Sequence, residues 1–287
     1  MSPCRHPQFA QMPQTPRRGG TSVVNWNDNP YIFRCNCVVG YELHRLQIEA
    51  CQKRRKQRLM PSMTFLERAL HYFFPRVGKA MLIMQTLFVK RALWQSIRTG
   101  LPVDGQGQPV PWITFPALDY LSQLDFSQSS VLEYGGGQSS LWWAARARTI
   151  TTVEAREQWA KMLRDKAPEN LRLIGPVEGS SYVETPLKEK RMFEVLIIDG
   201  LLRPECARAA LPFLAEHGLL ILDNSDWYAP LCSWLRSQGM MQIDFHGFGP
   251  VNNYTWCTSI FIRRQCAVPH RGSPWAASVY GNLVQPA

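Results

Sequence analysis

The sequence predicts an α/β protein whose doubly wound, mostly parallel seven-stranded sheet is closed by an antiparallel hairpin and preceded by an N-terminal helical extension. Short apolar runs alternate with helical segments between residues 130 and 238, a pattern typical of parallel strands joined by crossover helices. Two last apolar runs, 240–246 and 256–263, have a long turn but no helix between them. Strands joined in this way pair antiparallel, which closes the sheet.

A glycine turn follows the first predicted strand, 131–134. Gly135, Gly136 and Gly137 stand directly between this strand and a predicted helix at 138–148. Glycine permits a sharp turn and lets a ligand lie against bare backbone amides, while the positive end of the next helix points at the ligand. The turn alone is equally typical of an α/β protein without a ligand there, so neighbouring residues must decide between the two interpretations.

Carboxylates end four of the five predicted parallel strands. Glu133 lies within the first strand, where burial demands a partner, and Glu154 ends the second strand, 149–154. Asp199 follows the fourth strand, and Asp223 with Asn224 ends the fifth. Because the carboxyl ends of parallel strands meet at one edge of a sheet, we expect these side chains to converge on a nucleotide-type ligand.

Charge and cysteine content limit the classes of function. The 287-residue chain has a net charge of +10, yet residues 1–110 hold 16 Lys and Arg against 5 Asp and Glu, whereas residues 111–287 hold 16 against 17. A catalytic domain that grips nucleic acid over a broad basic face is therefore not expected. The eight cysteines form no C-x-x-C pair, no apolar run reaches membrane-spanning length and no secretory signal opens the chain, so we expect a cytoplasmic protein with reduced thiols.

Four regions are expected along the chain. Residues 1–62 are basic and largely irregular, 63–110 form a helical extension and linker, 111–264 form the catalytic domain, and 265–287 form a tail. The apolar stripe within 64–99 has two interpretations. It packs on the catalytic domain or on a second subunit of a homodimer, or it lies as a peripheral contact on an anionic membrane surface.

Glycine turn, acidic strand ends and closing hairpin together resemble the class I S-adenosylmethionine-dependent methyltransferases over residues 111–264. The resemblance implies that the first strand and its turn hold the methionine part of S-adenosylmethionine, that Glu154 takes the ribose hydroxyls, and that Asp199 lies beside the sulfonium. The cofactor-binding residues that it implies are Glu133, Gly135, Gly136, Gly137, Ser139, Glu154, Glu178, Gly179 and Asp199. Glu178 and Gly179 fall where adenine is usually held. The alternative, a nicotinamide dinucleotide, would need glycine where Ser140 stands.

A narrower resemblance concerns the fourth and fifth strands. Asp199, Asp223 and Asn224 are similar to the metal ligands of the catechol and caffeoyl-CoA O-methyltransferases, which implies a site for Mg²⁺ or another divalent cation. The alternative is that Asp223 and Asn224 only cap the next turn. Without a metal, Asp199 or His246 is the candidate for accepting the acceptor's proton.

The function that these resemblances imply is methyl transfer from S-adenosylmethionine to an oxygen of a small-molecule or sugar-like acceptor. Two alternatives stay open: a nucleic-acid methyltransferase that uses the basic N-terminal arm, and a membrane-associated protein with a non-catalytic methyltransferase fold.

Overall fold

The computed structural model describes residues 74–269 and residue 271. The chain divides into two units, Met1–Leu59 and Met60–Ala287, and the described residues belong to the second. The expected irregular segment 1–62, the first part of the apolar stripe and most of the tail therefore lie outside the described residues.

Seven strands form one sheet in the order β3-β2-β1-β4-β5-β7-β6. The strands are β1 Ser130–Tyr134, β2 Thr149–Val153, β3 Leu171–Ile174, β4 Phe193–Ile198, β5 Leu214–Asp223, β6 Met241–Gly247 and β7 Trp256–Ile262. The first five run parallel, and β7 pairs antiparallel with both β5 and β6. The predicted fold class, including the antiparallel closing hairpin, is confirmed.

Helices cover both faces of the sheet. They are α1 Pro75–Gln85, α2 Leu93–Thr99, α3 Phe115–Leu121, α4 Gln138–Ala144, α5 Glu157–Lys166, α6 Gly179–Glu184, α7 Arg203–Ala210 and α8 Ala229–Ser237. Side chains alternate along each buried strand: in β1, Leu132 joins the core under α6, α7 and α8, whereas Val131 joins the core under α3, α4 and α5. Since β1 and β4 are buried on both faces, their near-continuous apolar sequence is explained.

One element boundary predicted from the sequence is wrong. The apolar pattern after the fourth strand predicts a helix over 203–216, but this helix ends at Ala210. Strand β5 begins at Leu214, whose side chain is buried in the core and whose backbone pairs with Phe193. Pro212 explains the early end of the helix, because proline lacks the N–H that a continued helix would use, and a 3-10 turn at Leu211–Phe213 leads into β5.

Within the described part of the helical extension, α1 begins at Pro75, whose missing N–H is tolerated in the first turn of a helix. A π-helical turn at Thr86–Lys90 continues α1, and α2 follows. Within the expected helical extension and linker, 63–110, Val103 and Val110 are buried. Among the described residues, no helix combines the length and apolarity needed to cross a bilayer.

Candidate functional site

The glycine turn after β1 lies directly against the turn after β4. Gly135 has φ +100°, and a Cβ there would stand 2.6 Å from the backbone N of Gly200. A Cβ on Gly136 would stand 2.6 Å from Thr152 Cγ2 on β2. Gly137 differs, because its backbone is extended and its nearest contact would be a Trp159 ring carbon at 3.8 Å. Close backbone and side-chain neighbours thus require glycine at positions 135 and 136, whereas a side chain at position 137 would occupy unfilled space.

Glu133 is fully buried below this turn. Its Oε2 accepts hydrogen bonds from Ser140 Oγ at 2.5 Å and Thr152 Oγ1 at 2.9 Å, and the Gly137 N–H donates to Ser140 Oγ at 3.1 Å. Glu133 Oε1 is buried and has no hydrogen-bond partner. Burial raises the pKa of Glu133 to about 7, with the Ser140 bond opposing the shift. Oε1 is therefore the carboxylate oxygen without a hydrogen bond, although the nearby Ser139 hydroxyl also acts to lower the pKa of Glu133.

Glu154 ties the end of β2 to the glycine turn. Its Oε2 accepts from the Gly136 N–H at 2.7 Å, and its Oε1 accepts from the Arg156 N–H at 2.7 Å. Burial raises the pKa of Glu154, while the two backbone bonds act against that rise. The carboxylate thus holds its position at the edge of the cleft through backbone groups.

A denser network joins the ends of β4 and β5. Asp223 Oδ1 accepts from Trp256 Nε1 at 2.9 Å and from Thr258 Oγ1 at 2.6 Å, and burial raises the pKa of Asp223 to about 6. Burial, followed by the negative charge of Asp223, raises the pKa of Asp199, and the charge of Arg203 opposes this rise. Arg203 forms an ion pair with Asp199 Oδ1 at 3.0 Å.

The strand ends open into one cleft of about 420 Å³. Predicted site residues that line it are Gly135, Gly136, Gly137, Ser139, Glu154, Asp199 and Asn224. Glu133 and Asp223 are buried at the ends of their strands, at the same edge of the sheet. The expected convergence of acidic strand ends is therefore present in the structure.

Besides the buried Glu133 and Asp223, three further predicted site residues do not line this cleft. Glu178 and Gly179 are exposed at the beginning of α6, and Tyr182 reaches the cleft from that helix instead. His246 is exposed on β6, the edge strand, which β7 separates from β5. Its role as a proton acceptor stays a prediction without a contact to support it, because the hairpin carries His246 to the edge of the sheet. The adenine-side role of Glu178 and Gly179 stays a prediction without a contact to support it.

The predicted metal ligands surround the guanidinium of Arg203. Asp199, Asp223 and Asn224 lie at adjacent strand ends as expected, but Arg203 lies against all three and the Asp223 carboxylate is bonded to Trp256. Within residues 74–269 and 271, no cluster of three or more His, Cys, Asp or Glu side chains could hold a metal ion. The residues present do not fit the divalent site that the resemblance implied.

Sequence reasoning missed several residues of the site. Ser140 and Thr152 were not recognised as partners of Glu133, since hydroxyl residues at a helix start and in a strand have many ordinary roles. Arg203 had one available signal, its position four residues after Asp199 at a helix start, where an ion pair can form. Trp159 on α5 was also not recognised, and the fold brings it into one cleft with Trp112 and Tyr254 from other segments.

The sheet order, the antiparallel β7 and the glycine turn facing acidic ends of β2 and β4 are now established. This is the fold of the class I S-adenosylmethionine-dependent methyltransferases. In these folds ligands bind outside the carboxyl ends of the parallel strands, where the cleft lies.

Solved methyltransferase structures resemble the chain. A proposed caffeoyl-CoA O-methyltransferase from Staphylococcus aureus is 19% identical, with 65% of this chain and 99% of that chain covered and a TM-score of 0.44. A proposed O-methyltransferase from Klebsiella pneumoniae is 20% identical, covering 61% and 89%, with a TM-score of 0.43. An rRNA methylase from Streptococcus thermophilus is 15% identical, covering 54% and 100%, with a TM-score of 0.40.

No protein-family model matches the sequence, and a comparison with curated protein sequences finds no match. At identities of 20% or less the structural likeness concerns the fold alone, so the acceptors of those proteins are not carried over to this chain.

Proposed function

We propose that this protein binds S-adenosylmethionine in the cleft and transfers its methyl group to an oxygen of a small-molecule or sugar-like acceptor. The observation that carries the proposal is Glu133 Oε1, a buried carboxylate oxygen without a partner below an open glycine turn. An unpaired buried acceptor is costly, and a ligand that brings a cationic donor removes that cost. The amino group of S-adenosylmethionine is such a donor.

The donor side of the cleft supports this assignment. At position 137 neither the backbone conformation nor the protein neighbours require glycine. The missing side chain therefore leaves room for a ligand. Glu154 lines the same side and presents carboxylate oxygens for ribose hydroxyls, beside the ring of Trp159. A cleft of about 420 Å³ lies within the range of small-ligand sites.

The acceptor side contains Asp199 and aromatic side chains from three segments, Trp112, Trp227 and Tyr254. Aromatic faces pack well against flat rings and the apolar faces of sugars. Asp199 accepts the hydroxyl proton as the acceptor oxygen attacks, and bound S-adenosylmethionine supplies the electrophilic methyl. The protein's contribution is chiefly to hold the oxygen in line with that methyl and to exclude water.

Isothermal titration with S-adenosylmethionine tests the proposal. We expect saturable binding to the wild type and at least tenfold weaker binding to Glu154→Gln, because a ribose hydroxyl contact is weakened. Glu157→Gln is the matched control, since Glu157 is exposed at the beginning of α5 and does not line the cleft. Absence of binding to the wild type, or equal weakening by both variants, would contradict the proposal.

We also propose that the helical extension contacts an anionic membrane surface. Residues 74–103 contain five basic residues and no acidic residue. Several of their large apolar side chains are exposed, among them Phe74, Met81, Met84, Val89 and Trp94. Exposed apolar side chains beside basic residues favour binding to acidic lipid headgroups.

Co-sedimentation with vesicles tests this second proposal. We expect binding to phosphatidylserine-containing vesicles that weakens at high salt and is lost in a Met81→Asp/Met84→Asp variant. Met241→Asp, at a similarly exposed methionine on β6, is the control and should bind as the wild type does. Equal loss in both variants, or no binding to acidic vesicles, removes the idea.

A further inference from the structure

The Arg203 side chain connects the ends of β4 and β5 through five hydrogen bonds. Arg203 begins α7, and its guanidinium lies between the ends of β4 and β5. Nε donates to the Gly200 carbonyl at 3.1 Å, and Nη2 donates to the Asp199 carbonyl at 2.8 Å and to Asp199 Oδ1 at 3.0 Å. Nη1 donates to Asn224 Oδ1 at 2.9 Å and to the Asp223 carbonyl.

These contacts use the whole hydrogen-bonding capacity of the side chain. A guanidinium carries five N–H groups, and five oxygens accept here: three backbone carbonyls, one carboxylate oxygen and one amide oxygen. No donor of Arg203 is left for a substrate, and its side chain is only 11% exposed. Arg203 is therefore a positioning residue rather than a group that grips an anionic acceptor.

The same oxygens are of the type that Mg²⁺ or Ca²⁺ takes as ligands, namely carboxylate, amide and carbonyl oxygens. Here they surround an organic cation that the chain itself supplies. Asp223, which a metal site would need as a second carboxylate, instead accepts from Trp256 Nε1 and Thr258 Oγ1. Oδ1 of each carboxylate and the Asn224 amide oxygen, which a divalent site would use as ligands, thus already accept hydrogen bonds from protein groups.

We propose that the guanidinium of Arg203 replaces a divalent metal at the acceptor side of this cleft. Its charge joins the ends of β4 and β5 and holds Asp199 by Oδ1, which leaves Oδ2 to accept from an acceptor hydroxyl. The catalytic part of this inference rests on the proposed function. In that step the acceptor O–H loses its proton to Asp199, a C–O bond forms to the methyl, and the C–S bond breaks with its electron pair going to sulfur.

The structural part of the proposal is tested on the full-length protein without any acceptor. Thermal unfolding and isothermal titration are followed while MgCl₂ or CaCl₂ is added, and again after EDTA treatment. For the wild type we expect an unchanged Tm and no saturable binding heat. A metal that bound the folded state would instead raise the Tm with its concentration.

Variants of Arg203 then test whether the positive charge at this position stabilises the fold. Arg203→Ala leaves the acceptor oxygens around an empty volume, and we expect its Tm to fall by several degrees and to recover partly with Mg²⁺ or with millimolar guanidinium. Arg203→Lys should lose less, since an ammonium keeps the charge but only three donors, and it serves if the alanine variant does not fold. Arg208→Ala is the control, because Arg208 is exposed on the same helix and contacts Trp234.

The possible results either support or overturn the proposal. Recovery by cations in an Arg203 variant and not in Arg208→Ala supports the proposal. Saturable Mg²⁺ or Ca²⁺ binding to the wild type that is lost in Asp199→Asn overturns it, as does an Arg203 variant that responds to cations no more than the Arg208 control. S-adenosylmethionine binding to the wild type is measured separately, and its absence would contradict the proposed function without altering the outcome of the cation experiment.

Discussion

The two halves of the cleft are built in opposite ways. At the ends of β1 and β2, backbone groups and one buried carboxylate leave hydrogen-bonding capacity unused, as Glu133 Oε1 shows. At the ends of β4 and β5, Arg203 and Asp223 are enclosed in contacts with the protein. The difference indicates that the first half receives a ligand that brings its own hydrogen-bond donors. In the second half, protein groups already satisfy Arg203, and the Asp199 carboxylate is the group that faces an acceptor.

The largest expected loss of stability is at Gly135, where the turn after β1 meets the turn after β4. Gly135→Ala would place a Cβ 2.6 Å from the Gly200 backbone N at a φ of +100°, so we expect a loss of about 4 kcal/mol in the free energy of unfolding, combining overlap and backbone strain. Urea denaturation measures it. Gly239→Ala shares the positive φ, +80°, but meets nothing within 4 Å, and should cost about 1 kcal/mol. Equal costs would show that the two turns do not press on each other.

A smaller effect concerns the protonation of the donor half. The pKa of Glu133 is raised from 4.5 to about 7, so between these pH values the folded state retains a proton that the unfolded state has released. Stability from this group is therefore fully present below pH 4.5 and is lost as pH rises to 7, by about 3 kcal/mol. Glu133→Gln should lack this loss when unfolding free energies of the two proteins are compared across that range. Parallel pH profiles for wild type and variant would contradict the assigned burial.

The smallest expected effect compares one threonine from each half. Thr258 Oγ1 donates to Asp223 and accepts from the Thr114 N–H, whereas Thr152 Oγ1 donates to Glu133. Thr258→Val should cost about 2 kcal/mol in unfolding free energy and leave S-adenosylmethionine affinity unchanged. Thr152→Val should cost less stability but weaken that affinity, because Glu133 loses one of its hydroxyl partners. Equal effects on affinity would remove the division between the halves.

Much of this architecture was predictable because it depends on local patterns. Alternating runs of apolar strand and helix identify the sheet, and carboxylates such as Glu154 and Asp199 at strand ends identify its working edge. Charge balance also indicated that the basic character belongs to the N-terminal part of the chain.

The rest depends on groups far apart in sequence. Trp256 and Thr258 surround Asp223 only because the hairpin returns β7 beside β5. The local sequence indicates only a helix start at Arg203, since nothing near it in sequence shows that carbonyls at the ends of two strands converge on its side chain. His246 was placed near the chemistry because a strand end and a catalytic edge are indistinguishable until strand order is known.

The most direct test of the central claim is the affinity of S-adenosylmethionine for Gly137→Ala. This variant places a methyl group in the cleft, 3.8 Å from Trp159 and in contact with nothing closer, so its unfolding free energy should match that of the wild type. We predict that the wild type binds the donor and that the variant binds it at least about tenfold more weakly. Equal affinity in the two proteins, or no binding to either, would contradict the claim that the glycine turn and acidic strand ends form a donor site.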